Sequence, residues 1–259
     1  MEQIEIQNLY VSYDQHDIIS GMNLSIPQGK ITMIIGPNGC GKSTLLKSIA
    51  RILKPRKGNI YIKGKDIRKQ NSKDMARHVA VLPQNPKTPD GLLVKELVAY
   101  GRFPHQNTLG GLSAHDIEVI QWAMEETSVT EYADRTVDSL SGGQRQRAWI
   151  AMALAQETEI LLLDEPTTYL DMSHQLEILL LLQKLNRKEG RSIVIVLHEL
   201  NNACRFSDYI IGMKNGKIIF SGSPKEVITE DNLYKIYGIN AKLAMDKEKQ
   251  YPICVEYDF

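Results

Sequence analysis

Short apolar runs separated by polar turns mark the chain from its first residues. Ile4 and Ile6 alternate with polar neighbours, and Met22, Leu24 and Ile26 do the same before a Pro27-Gln28-Gly29 turn. That period of two predicts half-buried strands. Ile31 to Ile35 is continuous and apolar, as in a strand covered on both faces. It enters a glycine-rich loop, Gly36 to Gly41, and then a helical stripe of Leu45, Leu46, Ile49, Ile52 and Leu53 that stops before Pro55. Ile60 and Ile62 predict a strand ending near Gly64, and His78 to Leu82 predicts another.

From about Pro86 to Glu159 the strand signals disappear. Val94, Leu97 and Val98 have helical spacing, ended by Gly101. Ser113 and Asp116 form a capping box before Ile117, Ile120 and Met124. A third helix should start near Ser141 and run through Ala148 to Ala155, apolar or small nearly all round and therefore buried. Strands then return at Ile160 to Leu163 and Ile193 to Leu197, separated by a Leu-rich helix around Gln175 to Leu185. Asn215-Gly216 between Ile211 and Ile218 signals a hairpin, Ser223-Pro224 starts a helix, and Gly238 ends the helical region. The pattern is an α/β core with one helical insertion. We read 1–259 as a single domain: 1–85 and 160–238 form the core, 86–159 a helical subdomain and 239–259 a C-terminal extension.

Composition narrows this picture. With 259 residues, 42% of them hydrophobic, the chain can bury a sizeable core. Lys+Arg and Asp+Glu both count 31, so no global charge draws it to nucleic acid. Cys40, Cys204 and Cys254 lack metal-ligand spacing and read as free thiols of a reducing compartment. The N-terminus has no signal-peptide pattern, and no apolar run reaches the ~20 residues that span a bilayer. A role in transport would need other chains to supply the pore.

The chemistry concentrates at the ends of the buried strands. Gly36-Pro37-Asn38-Gly39-Cys40-Gly41-Lys42-Ser43 fits the phosphate-loop pattern, between a strand and a helix as that mechanism requires. Its backbone N–H groups and the helix N-terminus suit phosphate oxygens; Lys42 should reach the β and γ phosphates and Ser43 should ligate Mg²⁺. Ligands of open α/β sheets gather at the carboxyl ends of strands. The other strands end there in Asp164-Glu165, Pro83-Gln84 and His198. Asp164 suits the Mg²⁺-supporting acid, and Glu165 the group that polarises the attacking water. Leu140-Ser141-Gly142-Gly143-Gln144 contains a Ser-x-x-Gln capping box that by itself only starts a helix. Its two glycines are costly in a helix unless a phosphate approaches the backbone closely. A second phosphate-binding helix start is surplus for one nucleotide, and fits a nucleotide held between two copies of the chain.

With these segments in this order, the chain resembles the nucleotide-binding subunits of ABC transporters along nearly its whole length. Residues 36–43 match Walker A, with Thr44 following, and Ile160 to Glu165 match Walker B. Leu140 to Gln144 match the signature segment. Gln84 has the Q-loop position, Leu170-Asp171 the D-loop, and His198 the switch position. Tyr13 stands where the family places an aromatic ring against adenine. The resemblance implies a P-loop NTPase core with an N-terminal antiparallel β subdomain and an inserted α-helical subdomain. It implies ATP hydrolysis with Mg²⁺ at Ser43, Gln84 and Asp164, and catalysis by Glu165 with His198, Gln84 and Lys42. It implies a head-to-tail dimer in which Ser141, Gly142, Gly143, Gln144 and Asp171 of one copy meet the ATP of the other. Two transmembrane permease subunits would contact residues 86–159 at the cytoplasmic face of the membrane, with an extracytoplasmic substrate-binding protein acting through them and no nucleic acid involved.

A narrower likeness lies in Gly101-Arg102-Phe103-Pro104-His105, in Pro166 to Asp171 with His174-Gln175, and in Leu197-His198-Glu199-Leu200-Asn201. These resemble importers of ferric siderophores, haem and vitamin B12, with Glu199 where Asp is common. A ferric siderophore is the expected cargo; haem and cobalamin are the alternatives. A DNA-acting relative would carry a long coiled-coil insertion, and no heptad pattern runs through 86–159. A ribosome-associated relative would carry two cassettes, and one Walker A occurs here.

Overall fold

In the computed structural model, which describes residues 2–13, 16–106, 111–248 and 250–259, the N-terminal alternation becomes two long strands. These are β1 (Glu2–Tyr13) and β2 (His16–Pro27), antiparallel, with Ile4 opposite Ile26 and Ile6 opposite Leu24. β3 (Ile31–Ile35) is buried at every position and leads through the glycine loop to α1 (Lys42–Ile49). This helix is shorter than its apolar stripe predicts. Arg51 adopts φ 58 and donates to Gln70 O at 2.7 Å, which turns the chain toward β4 (Lys57–Ile62) and leaves Ile52 63% exposed. β5 (Lys65–Asp66) follows, and then α2 (Ser72–His78), capped by Asn71 and not anticipated from periodicity. α2 takes His78 away from the strand, β6 (Val79–Leu82).

The helical stretch forms as its spacing and caps predict, with α3 (Val94–Tyr100), α4 (Ala114–Glu126) behind its Ser113–Asp116 box, and α5 (Gly142–Ala155) behind its Ser141–Gln144 box. No strand lies between residues 86 and 159 among the described residues, only an isolated bridge from Leu93 to Thr136. α5 buries Ala148 to Ala151 and Ala153 to Ala155, but its first turn, with Gly142 and Arg145, is exposed. The expectation of burial all round fails there because polar side chains crowd that turn. Buried Arg102, 1% exposed, locks the three helices together: it donates to Asp116 Oδ1 (2.6 Å), Glu157 Oε2 (2.6 Å) and Ala155 O (2.7 Å).

The remaining elements are β7 (Ile160–Asp164), α6 (Met172–Glu189), β8 (Ser192–Val196), α7 (Leu200–Phe206), β9 (Tyr209–Lys214), β10 (Lys217–Gly222), α8 (Pro224–Val227) and α9 (Glu230–Tyr237). Asn215 and Gly216, at φ 47 and 70, make the two-residue turn between β9 and β10. The last 20 residues fold as an unanticipated hairpin of β11 (Asn240–Met245) and β12 (Pro252–Asp258).

The large sheet has the order β10-β9-β3-β8-β7-β6. All its pairs are parallel except the edge pair β9–β10. Its buried strands read as continuous apolar runs because both faces are covered. Ile34, Leu162, Val194 and Val196 pack under the antiparallel sheet β2-β1-β4-β5, whereas Met33, Ile35, Leu161, Leu163, Ile193 and Ile195 pack against the helices. Among the described residues, no helix is long and apolar enough to cross a membrane.

Candidate functional site

Strand register gathers the chemistry at one edge. Ile35 lies beside Gly212, Ile34 and Asp164 both pair with Val196, and Leu82 pairs with Leu163. Gly36, His198, Glu165 and Gln84 therefore all leave the sheet on the same side.

The loop from Gly36 to Gly41 is fixed by close backbone approach. A Cβ on Gly36, at φ 148, would lie 2.1 Å from Met213 O on β9. Gly41, at φ 105, turns the chain into α1, whose N-terminus has no side-chain cap and no acid in its first turn. Its free N–H groups thus face the cradle lined by Asn38, Gly39, Gly41, Lys42, Ser43 and Thr44, with Ile18 and Glu165 at its rim. Lys42 is buried and donates to the carbonyls of Gly36 (2.8 Å) and Pro37 (3.0 Å). A buried ammonium held only by carbonyls beside unpaired amides is the electrostatics of an anion site. Cys40 points its buried thiol under the loop rather than into the cradle, and burial raises its pKa. Its carbonyl accepts from Gly216 N at 3.0 Å, tying the loop to the β9–β10 turn.

Two carboxylates face the cradle. Ser43 Oγ donates to Asp164 Oδ1 at 2.8 Å. Asp164 is 4% exposed, and burial raises its pKa, against the opposing pull of the Ser43 hydrogen bond. Glu165 follows at φ 52, its N–H donating to Val196 O. Its carboxylate gathers Gln84 Nε2, His198 Nε2 and, at 3.0 Å, the Thr168 hydroxyl. Gln84 turns its amide nitrogen to Glu165, not to Ser43. Thr168 carried no sequence signal, because its role depends on the turn after β7. Ser43, Asp164 and Gln84 offer hard oxygen donors, suited to a divalent cation that also takes oxygens from water and phosphate. No cluster of three or more His, Cys, Asp or Glu able to hold a metal occurs among the described residues, so such a cation would need those outside oxygens.

The Ser141 segment lies elsewhere in the chain. Ser141 Oγ accepts from Gln144 N (3.4 Å), and Gln144 Oε1 accepts from Ser141 N (3.1 Å). A Cβ on Gly143 would come within 2.5 Å of His174 Cδ2, so the glycine admits that ring. Asp171 holds the ring at 2.8 Å and caps α6. Hydrogen bonds from the His174 amide, the Ser173 hydroxyl and the His174 ring bring the Asp171 carboxyl down to about 2. Gly142 lines a cleft with Gln84, Trp149 and Leu170 that shares no residue with the phosphate cradle. Tyr13, at the end of β1, is 43% exposed and also stands outside the residues lining the cradle. Gln84 and Thr168 of the strand-end cluster also line the Gly142 cleft, so Gly142 lies beside the cluster but outside the phosphate cradle.

Comparison with known proteins agrees with this geometry. The ABC transporter family model matches residues 19–168. The iron(3+)-hydroxamate import ATP-binding protein of Bacillus subtilis strain 168 is 52% identical over 258 residues, covering 100% of this chain and 96% of that one. The ferric enterobactin transport ATP-binding protein of Escherichia coli K12 is 46% identical over 249 residues, covering 96% and 92%. An ABC transporter described as of metal-chelate type, in an inward-facing conformation, superposes with TM-score 0.84 at 29% identity, covering 98% of this chain and 96% of that one. A dimeric bacterial ABC transporter cassette superposes with TM-score 0.76 at 29% identity, covering 85% and 98%. With relatives matched over nearly the whole length of both chains, the chain belongs to the ABC transporter family, as an importer ATPase subunit on the branch that holds these iron-chelate proteins.

Proposed function

We propose that this chain drives import of a ferric siderophore by binding and hydrolysing ATP on behalf of two transmembrane permease subunits. The observation that carries the cargo is the full-length similarity to proteins named for iron-hydroxamate and enterobactin import. The Gly101 to His105 and Leu197 to Asn201 segments support the same branch.

In this reading the cradle amides and Lys42 hold the β and γ phosphates, with Gly36 to Thr44 shaping the loop. Ser43 and Gln84 would hold Mg²⁺, with Asp164 supporting it through its hydrogen bond from Ser43. Bound there with the nucleotide, Mg²⁺ would neutralise charge on the bridging phosphate oxygens. Glu165 takes the proton of the attacking water, oriented by His198 and Gln84, which already meet its carboxylate. Tyr13 stacks on adenine. Ser141, Gly142, Gly143, Gln144 and Asp171 serve the nucleotide of a second copy, head to tail. None of these five lines the cradle of its own chain, which supports that arrangement. Residues 1–85 and 160–238 form the ATP-binding core, and the 86–159 subdomain contacts the permeases at the cytoplasmic face of the membrane. An extracytoplasmic binding protein selects the cargo, which never touches this chain.

The test is uptake of labelled ferric hydroxamate, ferric catecholate, haem and cobalamin in a strain lacking this chain. Ferric siderophore uptake should fall and return on complementation. Unchanged uptake of all four would refute the cargo assignment, and selective loss of haem or cobalamin would move it to that ligand.

A further inference from the structure

The family match ends at Thr168, yet the C-terminal hairpin reaches the helix that follows His198. Asn201 sits in the first turn of α7, three positions after His198. The Cys254 backbone grips its side-chain amide on both sides. Nδ2 donates to Cys254 O at 3.1 Å, and Oδ1 accepts from Cys254 N at 2.8 Å. Two bonds to one amide fix its rotation as well as its distance. Between Lys242/Leu243 and their partners Glu256/Cys254 the hairpin register shifts by one residue. A bulge there bends β12 and releases backbone groups from the ladder, as bulges commonly do. Beneath this joint, Leu243, Tyr251 and Cys254 pack on the same core as Ala203, Cys204 and Phe206 of α7.

Gly238, at φ 74, turns the chain from α9 into β11.

α7 has only seven residues and no side-chain cap at its N-terminus. A helix that short gains little stability by itself, so its placement depends on tertiary anchors. His198 lies in the link just before it and meets Glu165. We propose that the β11–β12 hairpin braces the hydrolytic site, with Asn201 a positioning residue for His198. The inference rests on the reading of His198 and Glu165 given under Proposed function.

The experiment is steady-state ATP hydrolysis by the purified chain carrying Asn201→Ala, His198→Ala, and both together. Misplacing a catalytic group by about an ångström costs up to about 100-fold. Asn201→Ala should therefore lower kcat about tenfold or more, with KM for ATP held within about twofold. In the His198→Ala background the same change should cost less than about twofold, because the group it positions is gone. If Asn201→Ala lowers the melting temperature, Asn201→Asp replaces it; it keeps the acceptor for Cys254 N–H, loses the donor, and should show the same kcat loss. Full additivity of Asn201→Ala with His198→Ala, or wild-type kcat in the Asn201 variants, would overturn the brace. Wild-type turnover in His198→Ala would instead overturn the site reading on which it rests.

Discussion

Replacing Glu165 by glutamine separates binding from chemistry. The Glu165 carboxylate is an acceptor meeting donors on both oxygens: His198 at Oε1, and Gln84 with Thr168 at Oε2. Glutamine has the same shape but one oxygen and one NH₂. Its oxygen can keep Gln84 and Thr168, and its NH₂ then faces His198, which offers a ring lone pair in its other neutral tautomer. The network stays satisfied, so stability should change by under about 1 kcal/mol. The phosphate cradle keeps Lys42 and all its amides, so ATP affinity should stay within about threefold. What disappears is basicity. General-base catalysis contributes about 10² to 10⁴ in rate, or about 3 to 5 kcal/mol of barrier at ~1.36 kcal/mol per tenfold. Phosphate release at saturating Mg-ATP, paired with titration of a fluorescent ATP analogue, reads both quantities. Turnover within about threefold of the unmodified chain would refute Glu165 as the base. Loss of nucleotide binding would refute the separation of roles between Glu165 and the cradle.

Other perturbations follow from the same geometry. Arg102→Met leaves Asp116 buried without its cation, a change that costs about 3–5 kcal/mol; at about 2 °C per kcal/mol for a chain of this size, calorimetry should show a melting point lower by roughly 6–10 °C. Burial raises the Asp116 carboxyl, but hydrogen bonds from Ser113 and Arg102 more than offset it and bring it to about 2. The unfolded chain therefore binds the proton more tightly. Stability from this group is complete above the ordinary carboxylate value and is lost as pH falls from about 4 toward 2, so urea midpoints should drop across that window and drop less in Asp116→Asn. Gly36→Ala drives a methyl to within 2.1 Å of Met213 O, and should weaken ATP binding by tenfold or more in an equilibrium titration, since such backbone strain costs about 1–3 kcal/mol. Tyr13→Ala should raise the dissociation constant for ATP roughly 5-fold to 100-fold, the worth of one base–aromatic stack at about 1–3 kcal/mol, whereas Tyr13→Phe should not; equal affinities would remove Tyr13 from the site.

The sequence alone determined whatever is settled within a few residues. The phosphate loop, the capping boxes at Ser113 and Ser141, the Asn215-Gly216 turn and the two-faced apolar strands all follow from local backbone demands and from apolar period. Parallel strands with polar ends already placed Glu165, Gln84 and His198 on one edge, because a parallel sheet sends every carboxyl end the same way. Local pattern misled where tertiary contacts ruled. The α1 stripe continued through Ile52 and Leu53, but Arg51 had to turn the chain back to β4. α2 and α7 are too short for periodicity to announce, and the C-terminal hairpin carries mixed burial that resembles no strand pattern. Only the folded chain could decide that His174 fills the space left by Gly143, that Thr168 joins Gln84 and His198 on Glu165, and that Asn201 meets the backbone of Cys254. Each of these depends on which surfaces come together across the fold, and residue order does not encode that distance.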